Sequence, residues 1–550
     1  MRLAHKATIS VAVVGALLTL GVPVASSTTS GSTGPEKTYL VMYKQGASAS
    51  DAASRISAAG GTLVANYKQI GVVVAKSTDV AFAASLEKDS RVEGVSVASK
   101  PIAQVGPLEA ESQDSQPSEL PNQPATPDSL AALQWDMRQI SAPQANAITG
   151  GSRAVVVGDI DTGLDFSHPD IAPNYSAALS ADCESGFPGP LAPGNDRNGH
   201  GTHTAGTIAA ADNGIGITGV APNVTIAGIK SSNDDGFFFV HQVVCSFLWA
   251  GGAEMDNPAT PGVDFPATTG PRVDVTNNSY YMDPFLYNCR NDPEQRLLWK
   301  AAKRAAAFAT QQGVTHVAAQ GNDSDDRAHP TFDASSPDFP PGNAIEREIT
   351  NACVVVPLEL PGVIGVTSVG NARQIDGNDD PNEYQKSFYS AYGVGVAEVT
   401  APGGDSLFGL TPEAPNGRVL STFPTGVPCL RSVKEPPSPD PETPTAFYCY
   451  LQGTSMASPH AAGVAALIIS RYGDLDNPQN GKMRPGSVAA YMQQTADPQP
   501  CPTQTTTGVR GFTFEDFPRP DGTPQECQGG QGHNSWYGSG QVNALSAVTR

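Results

Sequence analysis

Three short segments, far apart along the chain, carry the side chains that can turn a serine into a nucleophile. They place Asp161 at the end of an apolar run, His200 at the start of a run of small residues, and Ser455 inside the octapeptide Gly-Thr-Ser-Met-Ala-Ser-Pro-His. A serine hydroxyl attacks a carbonyl carbon when an imidazole takes its proton and a carboxylate orients that imidazole. These residue types, in the order Asp, His, Ser, therefore predict acyl-transfer chemistry.

Each of these side chains is predicted to lie at the end of a secondary structure element. Residues 155–160 form a mostly apolar run, typical of a strand buried on both faces, and the aspartate follows it directly. Residues 204–210 and 461–469 are runs of small and apolar residues, which predict buried helices behind the histidine and the serine. Pro459 is expected in the first turn of the second helix, where the missing proline N–H costs little.

This arrangement predicts the fold class of residues 129–550. In open α/β sheets, ligands bind beyond the carboxyl ends of the strands, where the following helices begin. An acid at a strand end, with a base and a nucleophile at helix starts, fits such a site. We therefore expect an α/β catalytic domain with an open, mostly parallel sheet and helices on both faces.

Composition and charge indicate which classes of partner this chain is expected to bind. The chain has 550 residues, 16% of them charged, with a net charge of −21 and a pI near 4.7. We expect no nucleic-acid partner, because such proteins need clustered lysine and arginine. Acidity of this kind favours solubility, and we expect a monomer.

The first residues have the pattern of an export signal. Arg2 and Lys6 give a positive start, and residues 9–22 are apolar but too short to span a membrane. Residues 24–26 are small, as a signal peptidase site requires. We predict a signal peptide over residues 1–26, secretion to the extracellular space and no membrane anchor.

Cysteine usage agrees with an extracellular destination. The chain has eight cysteines, an even number, and no Cys-x-x-Cys spacing for zinc or redox chemistry. The expected disulfides include the local pairs Cys429–Cys449 and Cys501–Cys527, although spacing alone leaves the connectivity open. Closed loops of about 20 and 26 residues would each stabilise the fold by about 3 kcal/mol in the chain-entropy model.

The region between the signal and the catalytic domain divides into two parts. Residues 37–100 alternate strand and helix patterns and predict a small α+β domain. Its expected strands are residues 38–44, 70–75 and 92–97, and its expected helices are residues 47–59 and 80–88. Residues 101–128 are rich in acidic residues, Pro, Ser and Gln without apolar periodicity, and they predict a linker.

Taken together, the three motifs resemble the subtilisin family of serine peptidases in residue types and in chain order. Further segments resemble that family as well, namely residues 139–143, 215–222, 317–322, 400–403 and 538–544. Residues 37–100 resemble the family's inhibitory propeptide. The resemblance implies a secreted serine endopeptidase that acts on polypeptides and is made as a zymogen, with its own propeptide as an intramolecular inhibitor.

The resemblance also implies a role for each reactive residue. Ser455 would attack the scissile carbonyl, His200 would transfer the proton, and Asp161 would orient the imidazole. Asn322, at the end of a strand-and-turn segment, would donate a hydrogen bond to the oxyanion.

Other polar residues near the motifs compete for these roles. Three acids could be ordinary strand-end or turn residues: Asp159, Asp165 and Asp170. The Thr-Gly that follows Asp161 favours Asp161 over them. Three further residues are expected to orient neighbours or to bond at helix starts rather than to catalyse: His203, Ser458 and His460.

The substrate groove departs from the family at one point. The residues expected to line it are Ser279, Tyr280, Tyr281, Gly321 and Gly453. Many family members read Ser-Leu-Gly-Gly or Ser-Trp-Gly-Gly where this chain has two tyrosines, in Ser-Tyr-Tyr-Met. Glycine allows closer backbone approach than tyrosine does, so the shape of the S1 wall is left open.

No cofactor is expected to be required for catalysis, and a structural calcium site is left open. Asp170 and Asn213 match the family's side-chain ligands, and the backbone oxygens of residues 211, 215 and 217 could complete an oxygen cage. The expected upstream glutamine aligns near Ala131 instead, with Gln134 a few residues away.

Two alternative functions stay open. A catalytically silent binding protein could have the same fold, and an esterase could use the same triad. Two short strings are interpreted as chance matches. Only one Asp-Thr-Gly occurs, whereas aspartic proteases need two carboxylates at one site. The esterase-like Gly-Asp-Ser-Leu at residues 404–407 lies in a Pro/Gly loop late in the chain.

Overall fold

The computed structural model describes residues 33–99, 128–255, 265–371, 384–407, 414, 416–434, 446–476, 481–502 and 513–550. The predicted signal peptide and all but the last residue of the predicted linker lie outside these residues. In the part of the chain that is described, no helix is both long and apolar enough to cross a membrane.

Strands and helices alternate along most of the described chain. The strands are β1 (Thr33–Tyr43), β2 (Gly61–Tyr67), β3 (Val72–Asp79), β4 (Val92–Ser99), β5 (Val156–Asp161), β6 (Ala181–Asp182), β7 (Thr225–Lys230), β8 (Val275–Asn278), β9 (Asn288–Cys289), β10 (Thr315–Ala319), β11 (Phe332–Asp333), β12 (Arg347–Glu348), β13 (Cys353–Val354), β14 (Val363–Val369), β15 (Val399–Pro402), β16 (Val419–Thr422), β17 (Ser432–Lys434), β18 (Phe447–Leu451), β19 (Gly529–Gly530) and β20 (His533–Asn534). The helices are α1 (Ala52–Ala58), α2 (Phe82–Leu86), α3 (Trp135–Gln139), α4 (Ala142–Asn146), α5 (His200–Ala209), α6 (Val240–Ala250), α7 (Pro293–Gln312), α8 (Thr454–Tyr472), α9 (Pro485–Thr495) and α10 (Ala544–Thr549).

A seven-stranded sheet forms the centre of the larger part of the molecule. Its strand order is β15-β14-β10-β8-β5-β7-β6, and every neighbouring pair is parallel. The strand β5 therefore lies between β7 and β8, where the order along the chain changes direction. Such a switch point opens a crevice at the carboxyl ends of the strands.

The two faces of this sheet are covered by different helices. Helices α5, α8, α9 and α10 share one apolar core with Val157 of β5, whereas α6 and α7 share another core with Ile160. Because side chains alternate along a strand, adjacent residues of β5 point to opposite cores. The predicted fold class, an open parallel sheet with helices on both faces, is confirmed.

Residues 33–99 form a separate four-stranded antiparallel sheet in the order β2-β3-β1-β4, with α1 and α2 on one face. The strand β2 was not predicted, and the first helix begins at Ala52 rather than at the predicted residue 47. The pairing of β2 with β3 shifts register between Leu63 and Ala65. Such an irregularity interrupts the alternation of side chains by which strands are recognised.

The open face of the small sheet packs on helices α6 and α7. Leu40 and Met42 of β1 belong to the core that contains these helices, whereas Tyr39 and Val41 face α1 and α2. Arg304 of α7 donates hydrogen bonds to the Tyr43 carbonyl at 2.8 Å and to the Glu93 carboxylate at 2.9 Å. The interface thus has an apolar centre with charged groups at its edge.

Four disulfides connect all eight cysteines. Cys429–Cys449 and Cys501–Cys527 are bonded as predicted. The remaining pairs, Cys183–Cys245 and Cys289–Cys353, close longer segments of 62 and 64 residues. These two pairs join residues that only the folded chain brings together.

Candidate active site

The aspartate and the histidine of the first two motifs meet at the carboxyl end of β5. Asp161 is the last residue of β5 and is fully buried, and His200 is the first residue of α5. The His200 Nδ1 lies 2.7 Å from Asp161 Oδ1. An Nδ1–H that donates to this carboxylate leaves Nε2 as the basic nitrogen of the neutral ring.

The start of α5 is held by an acid that the sequence analysis did not single out. Asp196 accepts hydrogen bonds from the backbone N–H of Gly199 at 2.8 Å and of Thr202 at 2.9 Å. Carboxylates are stabilising at helix N-termini, where backbone N–H groups lack helical partners. A Cβ on Gly201 would lie 2.2 Å from the Gly163 carbonyl oxygen, so only glycine allows α5 to approach the strand end this closely.

Burial and charge act in opposite directions on His200. Burial lowers the pKa of the imidazole, but the charge and the hydrogen bond of Asp161, together with smaller contributions from nearby acidic residues, raise it by more. The net result is a pKa above the ordinary value near 6.5. The carboxylate therefore stabilises the protonated imidazole, which is the state that a general base reaches after it accepts a proton.

Ser455 is the second residue of α8 and is partly exposed. Its Oγ donates to the backbone carbonyl of Ser279 at 3.3 Å, and Ser279 Oγ donates to the Ser455 carbonyl at 2.9 Å. Pro459 lies inside the helix as its sixth residue, so the prediction of a first-turn proline is wrong. Proline has no N–H for the carbonyl four residues earlier, and that carbonyl, of Ser455, is the one that accepts from Ser279.

Two N–H donors converge beside Gly453. Asn322 Oδ1 accepts from the N–H and from the hydroxyl of Thr454, both at 2.9 Å, which fixes the amide with Nδ2 on the other side. A Cβ placed on Gly453 would lie 3.4 Å from Asn322 Nδ2 and 3.6 Å from the Ser455 backbone nitrogen. In the described residues neither donor has a hydrogen-bond partner. Two free donors beside a nucleophile can stabilise an oxyanion.

Of the predicted groove residues, the two tyrosines have side chains that contact other parts of the protein. Tyr280 is buried, with its ring stacked on Phe238 at a centroid distance of 4.2 Å. The Tyr281 hydroxyl donates to the Asp338 carboxyl group. The side chain of Tyr280 thus points into the core that α6 shares. The S1 wall stays a prediction.

The competing polar residues have other partners. His460 Nε2 lies 2.9 Å from Asp136, deep in the interior, and His203 Nε2 lies 3.0 Å from the Cys449 carbonyl oxygen. Ser458 was expected to bond at the helix start, but its hydroxyl donates to the side chain of Asn277 on β8 at 2.6 Å. Asp159 lies on the same strand as Asp161 and is bound to neutral groups.

The residues of the calcium prediction surround one loop. Asp170 accepts from the Ile217 N–H at 3.1 Å and from the Tyr448 hydroxyl at 2.8 Å, whereas its Oδ1 is buried without a partner. Asn213 is bonded within the loop, since its Oδ1 accepts from the Ile215 N–H. Asp128, predicted as the last linker residue, is buried here and accepts from the Gly214 N–H at 2.6 Å.

Gln134 does not face this loop as a free ligand, because its amide bonds both the N–H and the carbonyl of Thr218. Across the described residues, no group of three or more His, Cys, Asp or Glu side chains is placed to hold a metal ion. Burial raises the pKa of Asp170 to about 7. A cation beside the unpartnered oxygen of Asp170 would stabilise the ionised carboxylate. Backbone oxygens would have to supply the other ligands.

Comparison with known proteins shows which protein family this chain matches. The model of the subtilase family matches residues 152–540, which include all three motifs. Subtilisin DY of Bacillus licheniformis is 30% identical over 337 residues, which are 61% of this chain and 83% of that protein. Subtilisin E of Bacillus subtilis is 25% identical over 481 residues, 86% of this chain and 91% of that protein.

Solved structures agree on the fold. The epidermin leader peptide processing serine protease of Staphylococcus aureus matches with a TM-score of 0.58 and 19% identity, over 94% of this chain and 99% of that chain. Fervidolysin from Fervidobacterium pennivorans, a keratinolytic enzyme related to subtilisin, matches with a TM-score of 0.56 and 21% identity, over 94% of this chain and 61% of that chain.

Proposed function

Because the chain belongs to the subtilase family and is a serine-type endopeptidase, we propose that it cleaves peptide bonds through Asp161, His200 and Ser455. The observation that carries this assignment is the 2.7 Å contact between Asp161 Oδ1 and His200 Nδ1 at the carboxyl end of β5. The hydroxyl of Ser455, at the start of α8, is the proposed nucleophile that acts with this pair.

The reaction proceeds in two proton-coupled steps. Ser455 Oγ attacks the scissile carbonyl carbon while His200 Nε2 takes its proton. When the tetrahedral intermediate collapses, the C–N bond breaks, the same proton passes to the leaving amine, and an acyl-serine remains. Water then attacks the acyl carbon while His200 Nε2 takes its proton. When the acyl C–O bond breaks, that proton passes to Ser455 Oγ and the carboxylic acid product leaves. Asp161 keeps the imidazole in one tautomer throughout.

The developing oxyanion is stabilised by Asn322 Nδ2 and by the Ser455 backbone N–H. Both donors border the space beside Gly453. Thr454 holds the Asn322 amide in place through two hydrogen bonds, so the donor needs no reorganisation when charge develops. The positive end of the α8 dipole lies at the same point.

We propose that the protein is exported and that residues 37–100 are its own inhibitor during synthesis. The apolar face of the small sheet packs on α6 and α7, and Glu93 pairs with Lys300 and Arg304 at the edge of that contact. Release of the small domain then requires a cut in residues 101–128. A Ser455→Ala precursor should accumulate at near full length, minus the signal. Normal processing of this variant would show that a helper protease makes the cut.

We propose a structural calcium ion beside Asp170, with no role in the reaction. The buried, unpartnered Oδ1 of Asp170 and the nearby Asp128 carboxyl support it. Calcium should raise the melting temperature of the wild type, and Asp170→Asn should abolish that rise. An identical calcium response in both proteins would rule this site out.

Peptide hydrolysis by matched variants tests the proposed activity. The mature protein should cleave a fluorogenic peptide, Ser455→Ala should lose this activity, and Ser406→Ala should keep it. Ser406 is a suitable control because it belongs to the esterase-like string and is buried. Hydrolysis of a simple ester without any peptide cleavage favours an esterase. Activity on neither substrate after removal of residues 37–100 favours a silent binding protein.

A further inference from the structure

The strand that carries Asp161 holds a second buried carboxyl group on the same face. Asp159 lies two residues earlier on β5 and is 2% exposed. Side chains two apart on a strand point the same way, so both acids face the core that contains α5 and α8. Only one of them contacts a basic side chain, since His200 is bound to Asp161.

Both oxygens of Asp159 contact neutral groups. Oδ2 lies 2.8 Å from the hydroxyl oxygen of Thr204, and Oδ1 accepts from the side-chain amide of Asn277 at 2.9 Å. No lysine or arginine of the described residues pairs with it. A buried carboxylate with two neutral donors and an anionic neighbour is costly, because burial and like charge both disfavour the ionised form.

The position of Thr204 fits a protonated partner. Its Oγ1 lies 3.0 Å from the Gly201 carbonyl oxygen, one helical turn back towards His200. If Asp159 carries a proton on Oδ2, that proton goes to Thr204 Oγ1, and the threonine hydroxyl donates to Gly201. Each hydroxyl in this series of contacts then donates one hydrogen bond, and each acceptor oxygen receives one.

Burial and the nearest charge both favour the neutral form of Asp159. Burial, and then the charge of Asp161, raise the pKa of Asp159 well above its ordinary value, and the hydrogen bonds from Asn277 and Thr204 and the more distant His200 only partly oppose this. The two aspartates therefore divide the roles, with the negative charge on the one that His200 contacts.

Asn277 extends the contacts of Asp159 to the nucleophile. Its Oδ1 accepts from Ser458, one turn after Ser455 on α8, and its Nδ2 also reaches Ser279 Oγ at 3.1 Å. Ser279 in turn donates to the Ser455 carbonyl. Asp159 is thus the buried point from which hydrogen bonds run to α5, to β8 and, through β8, to α8.

We propose that Asp159 is a positioning residue, held as a neutral carboxylic acid, which ties the helix of His200 to the strand and helix that place Ser455. By staying neutral it also leaves Asp161 as the single carboxylate beside the imidazole. This inference rests on the proposed roles of Asp161, His200 and Ser455. It adds a proton that those roles alone do not require.

The pH profile of Asp159→Asn tests the charge state. Asparagine is neutral and can donate to Thr204 while it accepts from Asn277. We expect the acid limb of kcat/KM, which reports His200, to stay at the wild-type pH. If Asp159 were ionised, removal of its charge would move this limb to lower pH by about one unit, and that result would overturn the proposal.

Two further readouts test the positioning role by turnover and the charge state without turnover. Asp159→Asn should retain about ten-fold more kcat than Asp159→Val, which has no hydrogen-bonding group; equal values would contradict positioning. Infrared difference spectra should compare Ser455→Ala alone with Ser455→Ala combined with Asp159→Asn. The difference should contain the C=O stretch of a protonated carboxyl. A carboxylate band in its place would refute the neutral acid even if the catalytic assignment held.

Discussion

The two halves of the candidate site differ in how far their contacts are formed. In the acid–base half, His200 makes a 2.7 Å contact with the fully buried carboxylate of Asp161. In the nucleophile half, the Ser455 hydroxyl donates to the Ser279 carbonyl, and Asn322 Nδ2 is open. The fold thus forms the acid–base pair by itself and leaves the two oxyanion donors of the other half free for a substrate.

Physical reasons support this division. A buried carboxylate without a partner is costly, so Asp161 must have one in the folded chain. Asn322 is exposed, and water can hydrate its amide at little cost until a substrate replaces that water. Substitutions in the two halves should therefore differ in their effect on the pH profile as well as in size.

The largest effect is expected for Asp161→Asn in the acid–base half. The amide cannot hold the imidazole in the reactive tautomer, and we expect kcat to fall by about 10⁴-fold, as for the matching substitution in another serine protease. The His200 pKa should fall as well, because the carboxylate no longer raises it. Steady-state kinetics measures both. A loss below ten-fold would break the comparison.

A smaller effect is expected for Asn322→Ala in the nucleophile half. In a subtilisin, removal of one oxyanion donor costs about 10²–10³-fold in kcat, and we adopt that magnitude here. The acid limb should stay at the wild-type pH, since the Asp161–His200 contact is untouched. A shift of that limb, or a change confined to KM, would show that Asn322 has another role.

The pH dependence of the wild type tests the charged pair without a substitution. His200 must be neutral to accept the serine proton, so kcat/KM should be lost as the pH falls through its pKa. Because Asp161 and smaller contributions from nearby acidic residues raise that pKa above 6.5, the loss should begin above pH 6.5 and reach ten-fold per pH unit. An acid limb below 6.5 would mean that burial outweighs the carboxylate.

The smallest effect is expected for Ser279→Ala, which removes the hydrogen bond to the Ser455 carbonyl. One such bond contributes about 1 kcal/mol, so kcat should fall by about five-fold without a change in the pH profile. Ser406→Ala is a control, because Ser406 is a buried serine that lies outside these contacts. A larger loss in the control than in Ser279→Ala would contradict this account of how Ser455 is held.

The elements that carry the site were predictable from the sequence because they depend on local signals, although the first residues of the helices were not. An apolar run followed by Asp161 and Thr-Gly predicted the strand end, and runs of small residues predicted the helices behind His200 and Ser455. The two local disulfides were also predicted. In the small domain, the register shift within β2 hid a strand whose residues otherwise suit one.

The contacts within the site were harder to predict from the sequence. Ser279 and Ser455 are 176 residues apart, and nothing local to either predicts their reciprocal hydrogen bonds. The role of Pro459 depends on the same pairing, because the carbonyl that it leaves free has a partner only in the folded chain. The neutral surroundings of Asp159 come from separate segments, whereas on the sequence it was one of several competing acids.

Covalent labelling of the mature protein tests the central assignment most directly. A serine-reactive fluorophosphonate is added after residues 37–100 are removed, and mass spectrometry of the digested protein locates the adduct. We predict a single adduct on Ser455, formed at a rate that follows the acid limb of peptide hydrolysis. An adduct on Ser406 or another serine, or none on Ser455 in protein that cleaves peptides, would contradict it.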